Sequence, residues 1–206
     1  RNKLEQLVDS RTRDLALTQE AAIYGLGILA EFRDVETGMH IRRTQAYVEL
    51  LARHLRSRPR FRGYFDEGTI QLLAKSAPLH DIGKVGIPDR ILLKPDKLTV
   101  EEFEVMKKHT TYGAEALLCM GRESEKLPFI RTAAEIAGTH HEKFDGSGYP
   151  QGLKGKEIPL SGRLMAIIDV YDALVNKRVY KPAFRHEDAM EMLAVERGKQ
   201  FDPEIL

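Results

Sequence analysis

Cysteine is almost absent from this sequence. Cys119 is the only cysteine among its 206 residues, so no disulfide can form within the chain. The sequence also lacks an excess of charge of one sign, since 32 lysines and arginines stand against 31 aspartates and glutamates. Without a strong overall field, any anion must be bound by a local cluster of side chains. We therefore expect a cytoplasmic protein with no nucleic-acid polymer as its partner.

Long apolar runs are missing as well. No segment approaches the roughly 18 uninterrupted apolar residues that a membrane-spanning helix needs, and no signal peptide opens the sequence. Strand-like alternation of apolar and polar residues is not sustained anywhere, whereas helical periodicity recurs along the chain. The sequence therefore predicts an all-α fold without a membrane span. We expect a leading helix over residues 1–31 and one domain over residues 32–206.

The leading segment has an incomplete coiled-coil pattern. Apolar residues recur at seven-residue intervals at Val8, Leu15, Ala22 and Leu29. Arg11 and Thr18 interrupt the second apolar stripe that a coiled coil needs. Two interpretations remain open. The segment is either a linker or stalk helix, able to pair with a second copy as a homodimer, or an ordinary packed helix.

The stretch HDIGKVGIP, residues 80–88, concentrates ionisable groups in a short run. His80, Asp81 and Lys84 lie there with almost no other polar side chain. One interpretation is a helix end, because the glycines and Pro88 stop helices. The other is a metal site with a lysine that binds phosphate. The spacing alone does not decide between them.

Other histidines and carboxylates occur where helices could bring them together. Glu36 and His40 are four residues apart, which places them on one helical face. Asp169 lies in the apolar helix MAIIDVYDAL, where a carboxylate must be paired, protonated or bound to a metal. We expect Asp172 in the same helix to be a solvated helix end. The candidate ligand set is Glu36, His40, His80, Asp81, His109, His140, His141 and Asp169.

This mixture of imidazole and carboxylate suits divalent first-row metals, and the set is too large for one tetrahedral ion. Taken singly, each member has a plainer explanation, such as an ordinary core or surface histidine for His109. Adjacent metal ions that hold one phosphate are a common device for displacement at phosphorus. Asp81 is the natural bridging carboxylate, and Lys84 could reach a non-bridging phosphate oxygen. No serine or cysteine with a paired base is apparent, so we expect water to be the nucleophile.

The motifs as a whole resemble those of one family. They include ETGMH (36–40), LHDIGKVGIPDRIL (79–92), HHEKFDGSGYP (140–150), RLMAIIDVYDAL (163–174) and KRVYKPA (177–183). The sequence closely resembles the HD-GYP family, HD-superfamily metal phosphohydrolases that hydrolyse cyclic di-GMP, over nearly everything after residue 20. The resemblance implies an HD-type helical bundle and two or three divalent ions. Iron or manganese is usual, with nickel, zinc or magnesium as alternatives.

The same resemblance implies roles for individual residues. The eight candidate ligands match the family's ligand positions, with Asp81 as the bridge and Lys84 on the scissile phosphate. Gly148, Tyr149 and Pro150 form the loop expected to line the substrate cleft and to contact partner proteins, such as signalling proteins of the GGDEF type. Arg178 and Lys181 match positions that bind a phosphate or guanine of the dinucleotide. Phe144 replaces a usual tryptophan, which could alter the floor of the cleft.

The implied activity is hydrolysis of cyclic di-GMP to linear pGpG, with GMP as a further product to be tested. Two alternatives are a catalytically weak sensor or docking module and a phosphodiesterase for a related cyclic dinucleotide. The leading RTRDLALTQEA helix resembles the stalk that follows a receiver domain in response regulators of this family. We therefore expect a receiver domain upstream.

Overall fold

The structure, a computed structural model, describes residues 3–32, 39–119, 127–177 and 182–206. Within these residues no strand occurs, apart from an isolated bridge between Arg197 and Phe201. The α-helices are α1 (Lys3–Glu31), α2 (Met39–Arg56), α3 (Glu67–Ser76), α4 (Asp89–Leu92), α5 (Val100–Met106), α6 (Lys108–Leu118), α7 (Pro128–Thr139), α8 (Leu160–Val175) and α9 (His186–Val195). Short 3-10 helices span Ala77–Leu79, Ile82–Gly86 and Gly155–Glu157. The predicted all-α fold is confirmed.

Local signals explain where two of these helices begin. The hydroxyl of Thr99 accepts a hydrogen bond from the Glu102 amide at 3.2 Å, and the Glu102 carboxylate accepts one from the Thr99 amide at 2.8 Å. This capping box satisfies amides that the first turn of α5 leaves without a helical partner. Asp66 caps α3 in a similar way, since its carboxylate accepts a hydrogen bond from the Thr69 amide at 2.7 Å.

The main hydrophobic core lies between α2, α3, α7, α8 and α9. Leu55, Phe65 and Met165 are among its fully buried side chains. Burying a side chain of this size contributes about 1.5–3 kcal/mol. The core therefore holds α7 and α8 firmly together. These two helices carry His140 at one end and Asp169 within the apolar stripe.

A smaller apolar cluster forms around Leu79. It includes Leu117 of α6 and Ala133 of α7, and Ile23 of α1 packs against it. Leu79 directly precedes His80 in the chain. The cluster therefore anchors the turn on which His80 and Asp81 lie.

The leading helix is packed over only part of its length. Residues 3–22 are exposed, and Leu4, Val8 and Leu15 are 65%, 55% and 60% accessible. Packing begins at Ile23, and Glu31 at the helix end is buried. The segment is thus a helix, as predicted. Its role as a stalk and the domain boundary after residue 31 stay predictions.

Candidate metal centre

Buried histidines and one aspartate converge from separate elements of the fold. His80 and Asp81 follow the 3-10 helix Ala77–Leu79, His109 lies in the first turn of α6, and His140 follows α7. The Oδ1 atom of Asp81 is 3.4 Å from Nε2 of His109 and 3.6 Å from Nε2 of His140. Asp81, His109, His140 and His141 each offer a donor atom, and these atoms lie within 4.8 Å of one another.

Backbone carbonyls orient three of these imidazole rings. The Nδ1 atom of His80 lies 2.9 Å from the Ala77 carbonyl, and that of His109 lies 2.7 Å from the Met106 carbonyl. Nδ1 of His140 lies 3.0 Å from the Ile136 carbonyl. A carbonyl oxygen can only accept, so Nδ1 carries a proton in each ring and Nε2 is the atom left to face the cluster. A metal-ligating histidine needs this arrangement.

The donor set fits a divalent cation. Among the described residues, Asp81 Oδ1, His109 Nε2 and His140 Nε2 are buried and have no hydrogen-bond partner. Lone pairs that face one another in a dry interior are unfavourable unless a cation or a proton lies between them. Imidazole and carboxylate are ligands that divalent first-row metals bind well. The centre therefore fits the divalent metal ions that the sequence predicted.

Electrostatics support the same conclusion. Burial lowers the pKa of His109 to about 4, with a smaller contribution from His140. Burial and the neighbouring imidazoles also hold the pKa of His141 well below its usual value. Both rings are therefore neutral at pH 7, as a ligand must be. Burial alone would raise the pKa of Asp81, but Lys84 and the nearby histidines outweigh it and keep this carboxylate ionised.

A second group of donors lies beside the first. Glu31, His40 and His80 each offer a donor atom, and these atoms also lie within 4.8 Å of one another. The two Nε2 atoms of His40 and His80 are 3.5 Å apart. Nε2 of His40 is 3.6 Å from Glu31 Oε1 and 3.8 Å from Asp169 Oδ1. The carboxylate of Asp169, 21% exposed, thus borders the second group from α8.

Asp172 positions the His40 ring. Its Oδ2 atom is 2.6 Å from Nδ1 of His40, while Arg43 donates to both carboxylate oxygens at 2.6 and 2.8 Å. Asn176 donates to Oδ1 at 2.9 Å. Burial raises the pKa of Asp172, but the hydrogen bonds from Arg43 and His40 outweigh it and lower the pKa. The expectation of a solvated helix end was therefore wrong, because Asp172 is only 2% exposed and ion-paired.

Lys84 lies on the 3-10 helix that follows the HD pair. Its Nζ atom is 2.8 Å from Oδ2 of Asp81. Gly83 packs so closely on α6 that a Cβ atom would collide with the backbone of His109 and Gly113. The missing side chain therefore brings this turn close to α6, where Asp81 meets His109. The helix ends here, as one interpretation of HDIGKVGIP predicted, and its end belongs to the donor cluster. The phosphate contact of Lys84 stays a prediction.

The loop after His141 places an aromatic ring at the cluster. The ring centroids of Tyr149 and His141 are 4.9 Å apart, with 32° between the planes. Buried Glu142 holds the loop, because its carboxylate accepts hydrogen bonds from the amides of Gln151 at 2.7 Å and Leu153 at 3.0 Å. A Cβ at Gly148 would collide with the backbone of residues 142 and 143. This glycine is therefore required by the close approach of two backbone segments.

The structure brings most of the predicted ligands together. His40, His80, Asp81, His109, His140, His141 and Asp169 converge. Glu36, Arg178 and Lys181 lie outside the described residues, so their predicted roles stay predictions. The sequence interpretation missed Glu31 and the role of Asp172. The signal for Glu31 was a carboxylate within the apolar segment GLGILAEF, the same argument that singled out Asp169.

In this helical bundle, helix ends converge on buried histidines and an aspartate. This arrangement is typical of metal-binding domains of the HD class. The sequence model of the HD domain family matches residues 35–205, and the chain belongs to this family. The resemblance of its motifs to HD-GYP proteins is confirmed by this match together with the names of its relatives.

Among the described residues, no helix is long and apolar enough to cross a membrane.

Similar proteins are named as phosphodiesterases of cyclic dinucleotides. The chain is 51% identical to a protein named cyclic di-GMP phosphodiesterase from Vibrio cholerae, over 100% of this chain and 42% of that protein. It is 44% identical to a 3′3′-cGAMP-specific phosphodiesterase 2 of the same organism, over 94% of this chain and 34% of that protein. A solved cyclic GMP-AMP specific phosphodiesterase of V. cholerae shares the fold, with a TM-score of 0.61 at 17% identity over 91% of this chain and 46% of that one. The chain spans less than half the length of these proteins.

Proposed function

We propose that this chain is a metal-dependent phosphodiesterase domain that hydrolyses cyclic di-GMP to linear pGpG. The observation that carries the proposal is the convergence of Asp81 Oδ1, His109 Nε2 and His140 Nε2, buried and without hydrogen-bond partners among the described residues, beside the ammonium group of Lys84. The 51% identical relative is named a cyclic di-GMP phosphodiesterase, which supports the choice of substrate.

The residues fall into two metal positions. Asp81, His109, His140 and His141 would hold one ion, while His40, His80 and Asp169 would contribute to a second, with Asp81 as the bridge. We propose iron or manganese, with nickel, zinc and magnesium as the alternatives to be tested, and Glu36 as a further ligand if a third ion binds. When bound, the ions lower the pKa of water and neutralise charge on the phosphate oxygens.

The protein's own groups orient the substrate around this centre. Lys84 would donate from Nζ to a non-bridging oxygen of the scissile phosphate, because it is held 2.8 Å from Asp81 at the edge of the cluster. The ring of Tyr149 offers a face on which a guanine can stack. Burial, reinforced by the charge of Asp81, raises the pKa of Tyr149, so its phenol stays neutral. Arg178 and Lys181 would bind the second phosphate or a guanine.

The reaction is a balanced hydrolysis. One water adds to phosphorus, the bond from phosphorus to the ribose 3′ oxygen breaks, and that oxygen takes a proton to give linear pGpG. Hydrolysis of the second diester would give two molecules of GMP.

The direct test is incubation of iron- or manganese-loaded protein with cyclic di-GMP under anaerobic conditions, with products separated by chromatography. We expect pGpG from the wild-type chain and none from Asp81→Ala, which should also lose metal. If the metal-replete wild-type chain forms no linear product, the proposal is wrong. A sensor or docking module is then the better interpretation.

The second candidate substrate is 3′3′-cGAMP, because a relative 44% identical to this chain has that specificity in its name. A competition assay with both cyclic dinucleotides at equal concentration distinguishes the two. Preferential loss of the mixed dinucleotide would assign the chain to that specificity.

We propose a cytoplasmic signalling protein with further domains, since the chain spans 42% of its 51% identical relative. A receiver domain would precede α1, and the exposed apolar residues of α1 would pair with a second copy as a homodimer. The loop with Gly148, Tyr149 and Pro150 would contact GGDEF-type or other signalling proteins. Sedimentation of the chain with and without residues 1–22 tests the homodimer.

A further inference from the structure

The last residue of the leading helix lies in the metal centre. Glu31 is 1% exposed, and its Oε1 atom is 3.6 Å from Nε2 of His40. Its donor atom and those of His40 and His80 lie within 4.8 Å of one another. None of the ligand positions implied by the family motifs falls on this residue.

The position of α1 is set by close backbone contact with the segment that carries the HD pair. A Cβ atom at Gly27 would lie 2.8 Å from the Pro78 carbonyl oxygen and 3.3 Å from Cδ1 of Ile41. Helix α1 therefore lies directly on the segment that leads into His80. Glu31 follows Gly27 by one helical turn. The contact between Gly27 and Pro78 therefore also fixes the position of the Glu31 carboxylate beside His40.

The two histidines present their ligating atoms to this carboxylate. Nδ1 of His40 is held by Asp172 at 2.6 Å, and Nδ1 of His80 is held by the Ala77 carbonyl at 2.9 Å. Both rings therefore keep Nε2 directed toward the group. Two imidazole nitrogens and one carboxylate form a ligand set that zinc and other divalent metals use in catalytic sites, where one position stays open.

We infer that Glu31 is a ligand of the metal ion that His40 and His80 hold, so that α1 itself contributes to the metal centre. The inference rests on the proposed function, in which this centre binds divalent ions. As a consequence, any displacement of α1 relative to Pro78 would also move the Glu31 carboxylate relative to His40 and His80. Occupation of the second metal position is thereby linked to the placement of the leading helix.

The test is a count of bound metal. Metal-free wild-type protein and Glu31→Gln are equilibrated with a range of Mn²⁺ concentrations, and bound metal per chain is measured by mass spectrometry after desalting. Glu20→Gln, a change on the exposed part of the same helix, is the matched control. We expect Glu31→Gln to lose one equivalent of Mn²⁺, or to bind it at least 10-fold more weakly, and Glu20→Gln to match the wild type. Wild-type stoichiometry and affinity in Glu31→Gln would overturn the inference.

A second variant covers the case in which Glu31→Gln does not fold, as judged by circular dichroism. Glu31→His replaces one ligating group by another. With Co²⁺ as the probe, we expect the wild-type stoichiometry and shifted visible absorption bands. An unchanged Co²⁺ spectrum in Glu31→His would show that residue 31 does not ligate.

Different results would overturn the proposed function and the role of Glu31. A wild-type chain that binds no Mn²⁺ overturns the proposed function together with this inference. A wild-type chain that binds Mn²⁺ and hydrolyses cyclic di-GMP, with Glu31→Gln unchanged in metal content, overturns the inference alone. Loss of one equivalent in Glu31→Gln supports the inference even if cyclic di-GMP is not the substrate.

Discussion

Nδ1 of His40 lies 2.6 Å from Oδ2 of Asp172, and this contact turns the opposite ring nitrogen toward Glu31 and His80. The two residues come from α2 and α8, so the contact joins helices that are far apart in sequence. Arg43 and Asn176 hold the carboxylate from the other side. Asp172 is therefore a positioning residue that acts through His40.

Removing the charge of Asp172 should weaken metal binding. Asp172→Asn loses the carboxylate that fixes the His40 tautomer, and changes of this kind cost about 10- to 100-fold in metal affinity. We expect that loss in Mn²⁺ titrations, confined to one equivalent. Asp188→Asn, in the first turn of α9 with its side chain 41% exposed, is the control and should bind like the wild type. Equal affinities in the two variants would contradict the positioning role.

Filling the space at Gly83 should disturb the centre and the fold together. Gly83→Ala places a Cβ against the backbone of His109 and Gly113, and such overpacking costs about 1–3 kcal/mol or more. We expect a lower melting temperature and reduced metal content. Gly25→Ala meets nothing within 4 Å in helix α1 and should stabilise the chain by about 0.5–1 kcal/mol. A Gly83→Ala variant as stable as Gly25→Ala would refute the close contact with α6.

Loss of Lys84 should affect turnover more than metal content. Lys84→Met removes the ammonium group proposed to meet the scissile phosphate, and loss of one such donor typically lowers kcat about 10²- to 10³-fold. We expect this loss with near wild-type metal stoichiometry. Lys75→Met, exposed on α3, should turn over normally. If the metal is lost in proportion to activity, Lys84 maintains the centre instead of contacting substrate.

The ring of Tyr149, and not its hydroxyl, should matter for substrate binding. Tyr149→Ala removes a stacking surface worth about 1–3 kcal/mol per base, so KM for cyclic di-GMP should rise about 5- to 150-fold. Tyr149→Phe keeps the ring and should stay near the wild type. Steady-state kinetics on metal-replete protein measure both. A Phe variant as impaired as the Ala variant would point to the phenol oxygen instead.

Much of the fold and the centre could be predicted from the sequence. The helical periodicity and the absence of sustained strand alternation determined the all-α class. Histidine and aspartate in HDIGKVGIP, HHEKFDGSGYP and MAIIDVYDAL identified residues that do converge, because each motif combines ligand chemistry with a helix end or an apolar helix face.

The tertiary structure alone decided the roles of Glu31 and Asp172. Both are carboxylates beside apolar residues on helices, and the sequence does not show which segments pack over them. Glu31 is buried because α1 packs closely on Pro78 at Gly27. Asp172 is buried because α8 packs against α2 near Arg43. A sequence determines which residues can bind a metal and how helices begin and end. The packing of one helix on another determines which carboxylates become buried. The burial of a polar side chain depends on contacts with segments far away in the chain, and a sequence does not show these contacts directly.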